Sequence, residues 1–483
     1  MHSNVSPNPH YYQQPLREVL RSEVPECAPE TPVLEAARLM QQSQSSAILI
    51  RGGASGFQGI FTDKDLRNRV VAGGRPLETP VSDVMSTPLS AISESKTVFD
   101  ALLTMNLNNV MHLGVTDAQG QIRGLVRHHA LIAQGYSQFY LLRALESAQS
   151  VEEMAALQQQ IPEVVSTLLE AGMPVLSITQ LISLFADTVL ETLLKQALKE
   201  MGEPPANFVF LTLGSEGRQE QTLKTDQDNA ILFEDVPKER LGEVQSWFLE
   251  FGEKVCTRLD RVGYALCEGN VMARNPQWCQ PLSIWKGYFQ QWIETPEPVA
   301  VIRATIFFDF RASHGKTALA EELREHLWTL LHERNQLFLF HLSRAAQQMQ
   351  PPLSWWGGLA LEKGGAHDHT FDVKKAMTPV VDGARFFSLK NHLASTNTSE
   401  RLDRLLESGE LHPEDHRMLQ EGYEFLMRLR LRHQVEKIRE GLPADNHLDP
   451  RECSPVEQKL LTNILGASKK ALSMMRRQFP ELP

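Results

Sequence analysis

The chain has 483 residues, 42% of them hydrophobic and 22% charged, with a formal net charge of −11; that is room for roughly two to four folded domains. The acidic balance argues against a general nucleic-acid binder, which needs a basic face, but leaves room for a local basic pocket. Five scattered cysteines without a C-x-x-C pair point to a reducing cytoplasm and against a zinc site.

Residues 1–12 are polar, rich in Pro and Asn and without an apolar run, so a flexible tail is expected rather than a signal peptide. Residues 13–135 read as two similar units, about 13–76 and 77–135. Each has a helix, an apolar strand, a Gly-containing turn, a second strand and a closing helix. The helical period shows in Val33, Ala36, Ala37 and Met40, and again in Val98, Ala101, Leu102 and Met105. Residues 136–206 read as helical throughout and stop at Pro204-Pro205. Within them, "MPVLSITQLISLFADTVLETLL" carries Asp187 and Glu191, so it reads as a buried helix and not a membrane span. Residues 207–318 read as mixed α/β, with "VAVIRATIFFDFR" a helix or strand. Residues 319–483 read as helical. The longest of those helices has an apolar face of Leu419, Tyr423, Leu426, Met427 and Leu431, with a basic face taken as solvated. His367 and His369 fall in a stretch read as a polar loop.

The sharpest signal is "FLTLGSEGRQEQTLKTDQDNAILFED". An apolar strand runs into Gly214-Ser215, where the backbone can turn tightly and approach a ligand. The following residues can open a helix whose free N–H groups attract phosphate, with Arg218 and Lys224 as cationic partners. Asp226 and Asp228 are two apart, so on a strand they share one face, roughly 7 Å apart along the chain. Two such carboxylates repel unless a cation sits between them, and Mg²⁺ (or Mn²⁺) takes carboxylates together with phosphates. A phosphate-binding turn beside a paired-carboxylate metal site is the equipment of nucleotidyl transfer.

In that order, Gly-Ser, Arg218, Glu220 and Thr225-Asp226-x-Asp228 resemble the G-S-x-x-R-x-E…[ST]-D-x-D motif of polymerase-β-like nucleotidyltransferases. The stretch is similar in particular to the domain that uridylylates the nitrogen regulatory protein PII. The resemblance implies Gly214, Ser215, Arg218, Lys224 and Thr225 at the nucleotide, and Asp226 and Asp228 as catalytic metal ligands. It also implies a third acid on a later strand, for which Glu268 is the candidate and Asp309 a weaker one. Asp372 and Lys374 are implied at the far wall of the cleft. Residues 13–135 resemble a tandem CBS pair. "GIFTDKDLR" is similar to the adenine-nucleotide motif of CBS domains, which implies Gly59, Thr62 and Asp65 as ligand residues; in the second repeat Arg127 and Ala130 replace Thr and Asp. Beyond residue 12, nearly the whole chain resembles a bacterial family in which a CBS pair precedes a nucleotidyltransferase domain and a helical substrate-binding domain.

The expected fold is therefore multidomain α/β plus α: a tandem CBS pair, a helical connector, a polymerase-β-like domain and a C-terminal helical bundle. The expected activity is Mg²⁺-dependent transfer of UMP, or AMP, from an NTP to a protein acceptor of PII type, in a signalling role. The CBS pair is expected to bind an adenine nucleotide and to form a homodimer. No membrane is expected and nucleic acid is disfavoured. The alternatives are a catalytically silent nucleotide sensor, or a nucleotidyltransferase acting on a small molecule or an RNA end.

Overall fold

Two short sheets of one design arise from the two repeats. In the computed structural model, which describes residues 9–20, 24–53, 56–132, 138–296, 304–333, 336–353 and 359–479, the chain divides into two compact units, Met1–Tyr140 and Leu141–Pro483. In the first unit, β1 (Glu26–Cys27) runs parallel to β2 (Ala47–Arg51), which pairs antiparallel with β3 (Phe57–Thr62). The second repeat has the same order: β4 (Ala91–Ser93) parallel to β5 (His112–Thr116), then β6 (Ile122–Arg127) antiparallel to β5. Helix α1 (Pro9–Gln13) falls in the stretch expected to be a tail. Its Tyr11 and Tyr12 are buried, and Tyr12 meets Phe99 edge-on at 6.2 Å, so aromatic burial orders residues whose neighbours are polar. Helices α2 (Val33–Gln42) and α3 (Val98–Leu107) bury Val33, Ala36 and Met40, and Val98, Ala101, Leu102 and Met105. Ala37 is half-buried.

The second unit holds the helical segments from 141 onward, the mixed sheet and the C-terminal bundle. Helix α4 (Val175–Met201) starts after Pro174 and ends at Gly202, whose φ of 85° favours glycine. By length and composition it could cross a membrane, but 67% of its apolar window is buried within the protein, as in a core helix. The sheet order is β10-β7-β8-β9. Its central strands β7 (Phe208–Thr212) and β8 (Asn229–Phe233) are antiparallel and buried along their whole length. Strand β9 (Cys279–Pro281) is parallel to β8, and β10 (Arg311–Gly315) is antiparallel to β7. The segment expected as a helix or strand near Phe307 is a 3₁₀ turn, Thr305–Asp309, leading into β10, while residues 297–303 lie outside the described residues.

The bundle consists chiefly of α5 (Val373–Lys390), α6 (Thr398–Glu407), α7 (Pro413–Arg439) and α8 (Pro455–Arg476), which pack on one another. The expected apolar face of α7 is buried at Leu419, Tyr423, Leu426, Met427 and Leu431. Its basic face is not simply solvated: Arg430, His433 and Gln434 are buried too. His367 stacks on His447 with 3.5 Å between centroids, within the loop that leads to β11 (Phe371–Asp372) and its partner β12 (His447–Leu448).

Candidate nucleotide and metal site

The connection from β7 to β8 carries the site. The helix expected after Gly-Ser is a single turn, Gly214–Gly217, ended by Gln219 in the left-handed region at φ 56°. One turn has little macrodipole, so anion attraction here rests on individual N–H groups. Gly214 itself has φ 54°, and a Cβ there would lie 3.3 Å from Asp228 Oδ2 and 2.9 Å from Ile306 Cγ1. Glycine thus keeps open the space beside the carboxylate. A Cβ on Gly217 would fall 1.8 Å from the Asp309 carbonyl oxygen, which is impossible without moving the backbone.

Asp226 and Asp228 sit in extended backbone at the entrance of β8. The Asp228 carbonyl accepts from Leu213 N at 2.9 Å, and Gln227 N donates to Ala265 O at 2.9 Å. The intervening Gln227 points inward, its Nε2 donating to the carbonyls of Cys256 (3.0 Å) and Tyr264 (2.8 Å). The alternation expected of a strand therefore sends both carboxylates to the cleft. Burial, then the neighbouring Asp226, pushes the Asp228 carboxyl up to about 7. A cation between the two would relieve that.

The third group of the cluster is a thiol. Ligand atoms of Asp226, Asp228 and Cys267 all lie within 4.8 Å of one another. The expected third acid, Glu268, is exposed in the turn that follows and does not line the cleft. The reason is register: Asp226 pairs in parallel with Ala265, which sets Cys267 beside Asp228 and turns residue 268 away. Asp309, the weaker candidate, is fully buried and structural. Arg218 Nη1, Arg385 Nη2 and Arg401 Nη2 each reach it at 2.7 Å. Against the cost of burial, these three guanidinium groups hold its carboxyl well below the usual range.

Arg218, expected at phosphate, lines the cleft, but its Nε is spent on Glu220 at 2.8 Å and its Nη1 on Asp309. Ser215, Lys224 and Thr225 do line the cleft, a cavity of about 250 Å³, together with Lys374, Tyr423 and Arg430 from the bundle. The loop at 223–224 is held by α7, where Gln434 Oε1 accepts from Leu223 N (3.0 Å) and Lys224 N (3.3 Å). Burial, then Arg430, lowers the Lys374 ammonium, while Asp226 and Asp228 support its charge. Asp372 does not face the cleft as expected; it caps α5, accepting from Lys375 N at 3.0 Å. Arg430 was hidden from sequence reasoning because an arginine on an amphipathic helix reads as solvated. The one available signal was its place two helical turns beyond Tyr423 and one beyond Met427 on the same buried face.

In the first unit, Thr62 and Asp65 hold each other. Asp65 Oδ2 accepts from Thr62 N (3.0 Å) and Thr62 Oγ1 (2.7 Å), and Oδ1 accepts from Ser86 Oγ at 2.9 Å. Asp65 is buried, and Gly59 lets the Ser86 backbone approach, since a Cβ would meet Ser86 O at 2.8 Å. The three residues expected at a ligand thus build the fold here. A cavity of about 650 Å³ lies instead at the second repeat's counterpart, lined by Ser43, Ser45, Leu125, Arg127 and Ala130 among others, with none of Gly59, Thr62 or Asp65.

Comparison with known proteins accords with this division. Residues 159–299 match the family described as "Putative nucleotidyltransferase DUF294", and residues 336–479 match the "Putative nucleotidyltransferase substrate binding domain". Residues 16–72 and 81–134 each match the CBS domain. The CBS domain-containing protein YhcV of Bacillus subtilis is 32% identical over 112 residues, 23% of this chain and 78% of that protein. An uncharacterized protein of Chlamydia muridarum is 37% identical over 119 residues, 24% of this chain and only 36% of its own length. Among solved structures, a CBS domain protein from Pyrobaculum aerophilum complexed with AMP is 17% identical, covering 27% of this chain and 97% of that one, with a TM-score of 0.24.

Proposed function

The chain belongs to the CBS domain-containing proteins and joins that pair to a DUF294-type nucleotidyltransferase domain with its substrate-binding domain, and from this premise we propose that it transfers a nucleoside monophosphate from an NTP to a protein acceptor. The observation that carries the proposal is the Asp226–Asp228 pair, turned to the cleft by the inward Gln227 and faced by a glycine that leaves room beside Asp228. These carboxylates would hold Mg²⁺ or Mn²⁺, which when bound supplies charge neutralisation at the phosphates and a lowered pKa for the attacking oxygen. Ser215 and Thr225 line the same cleft, where they would meet the phosphates. The Cys267 thiol lies within 4.8 Å of Asp228 and favours its charged form. UMP is the first candidate for the transferred group and a PII-type protein for the acceptor, on the motif's likeness to PII uridylyltransferases.

The CBS pair is proposed to regulate this activity by binding an adenine nucleotide, with Arg127 at its phosphate, and to dimerise; light scattering on the purified protein tests the second point. One observation favours a second reading, a nucleotide sensor without turnover: the third member of the cluster is a thiol where a third carboxylate would hold the metal more firmly.

The deciding experiment incubates the protein with each labelled NTP, Mg²⁺ and a lysate fraction, and follows label on protein, on small molecules and on RNA ends. Asp226→Asn and Asp228→Asn should each abolish turnover while the protein stays folded, since each removes an anionic ligand at nearly constant volume. Unchanged Mg²⁺-dependent turnover in both folded variants overturns the transferase proposal. NTP binding without any turnover in the wild type selects the sensor.

A further inference from the structure

Most buried arginines around the cleft are balanced. Arg218, Arg385 and Arg401 share Asp309, and the first two also hold Glu220 and Asp382. Arg430 is different. It is 8% exposed and lines the cleft, yet among the described residues no carboxylate lies within 4.0 Å of it. Its Nε donates to the neutral Asn446 Oδ1 at 2.8 Å, and neither Nη has a hydrogen-bond partner among the described residues. A largely buried guanidinium with no carboxylate in contact is costly to hold, and because Arg430 lines the cleft an anion there would supply the missing contact. Lys374 lines the same wall, also with no carboxylate of the described residues within 4.0 Å.

The wall is built, not incidental. Asn446 Oδ1 accepts from Arg430 Nε and from Gln434 Nε2 (3.0 Å), and its backbone carbonyl accepts from Val373 N at 2.9 Å. One residue thereby fixes the start of the helix bearing Lys374 against the helix bearing Arg430. We propose that Arg430 and Lys374 form a polyphosphate seat on the helical wall of the cleft, with Asn446 as its positioning residue. A planar fork beside a point charge suits two linked phosphate groups. Identifying those phosphates as the terminal ones of an NTP rests on the transferase reading; the seat itself does not.

The test is calorimetry of the full chain with tripolyphosphate in EDTA, so that neither metal nor turnover enters. Wild type should bind. Arg430→Gln and Lys374→Gln should each weaken binding roughly 10- to 100-fold, the usual loss for a charged hydrogen bond. Arg430→Lys, which keeps the charge and loses the fork, should fall between. Asp226→Asn should bind at least as well as wild type, because it removes a like charge facing the anion. Absence of wild-type binding, or wild-type affinity in both Gln variants at unchanged melting temperature, overturns the seat. If Arg430→Gln does not fold, Lys374→Gln and Arg430→Lys decide by the same criterion. A seat that behaves as described while Asp226→Asn turns over NTP leaves the seat standing and removes the transferase reading. The reverse pattern removes the seat alone.

Discussion

Glu216 sits inside the G-S-E-G turn with its carboxyl buried. Burial, then the nearby Asp187, pushes it up to about 8 against the support of Arg311. Between its ordinary value of 4.5 and 8 the folded chain holds a proton that the unfolded chain has released, so stability falls as pH rises through that window. Glu216→Gln keeps the shape of the neutral acid. The variant should be more stable than wild type at pH 8.5, by roughly 2–4 kcal/mol, and the gap should close toward pH 5; thermal melts of both proteins at the two pH values check this, and parallel pH profiles would refute it. At this scale the sequence was partly legible. Asp226 and Asp228 were readable because strand alternation is local. Cys267 was not, because its place depends on a pairing with a segment some forty residues away, and a one-residue change of register exchanges it for Glu268. Arg430 and Asp372 traded expectations for the same reason: which helix-end acid caps and which helical arginine faces a cleft is decided by packing between elements.

Among elements, the Gly214–Gly217 turn is clamped from the bundle side. Thr396 Oγ1 donates to Gly217 O (2.8 Å), Asn397 Nδ2 donates to Arg218 O (3.0 Å), and Thr398 N bonds Glu220. Asp309 closes the same junction. Asp309→Asn would leave Arg401 without its carboxylate in a buried setting, so a loss of about 3–5 kcal/mol is expected in urea unfolding followed by a probe of the second unit. Arg401→Met added to Asp309→Asn should recover part of that loss, whereas additive losses would show that the ion pairs are not the cause. The long helices were legible from apolar spacing, with Pro174 and Gly202 marking the ends of one of them. The single turn after Gly214 was not, because nothing local announces that Gln219 takes a left-handed conformation.

At the scale of the molecule, two repeats and a strand–turn–strand motif were enough to foresee the classes of domain. In the first unit Thr62 and Asp65, expected at a ligand, form a capping pair, and the larger cavity lies beside Arg127 and Ala130. Arg127→Ala should weaken AMP binding by about tenfold or more, whereas Asp65→Ala should chiefly cost stability, about 0.5–2 kcal/mol for a lost cap; calorimetry with AMP and melting curves separate the two. If the adenine nucleotide regulates transfer, AMP must change NTP affinity by the same factor by which NTP changes that of AMP, and equal affinities with and without the other ligand exclude coupling at the level of binding. The shared carboxylate at Asp309 has a consequence for descent. Its partners come from the Gly-Ser turn and from two helices of the bundle, so residues 159–299 and 336–479, matched as separate families, are expected to be inherited together. In related chains positions 218, 309, 385 and 401 should change together or not at all, and a nucleotidyltransferase half grafted onto a foreign helical half should carry an orphaned charge at the graft.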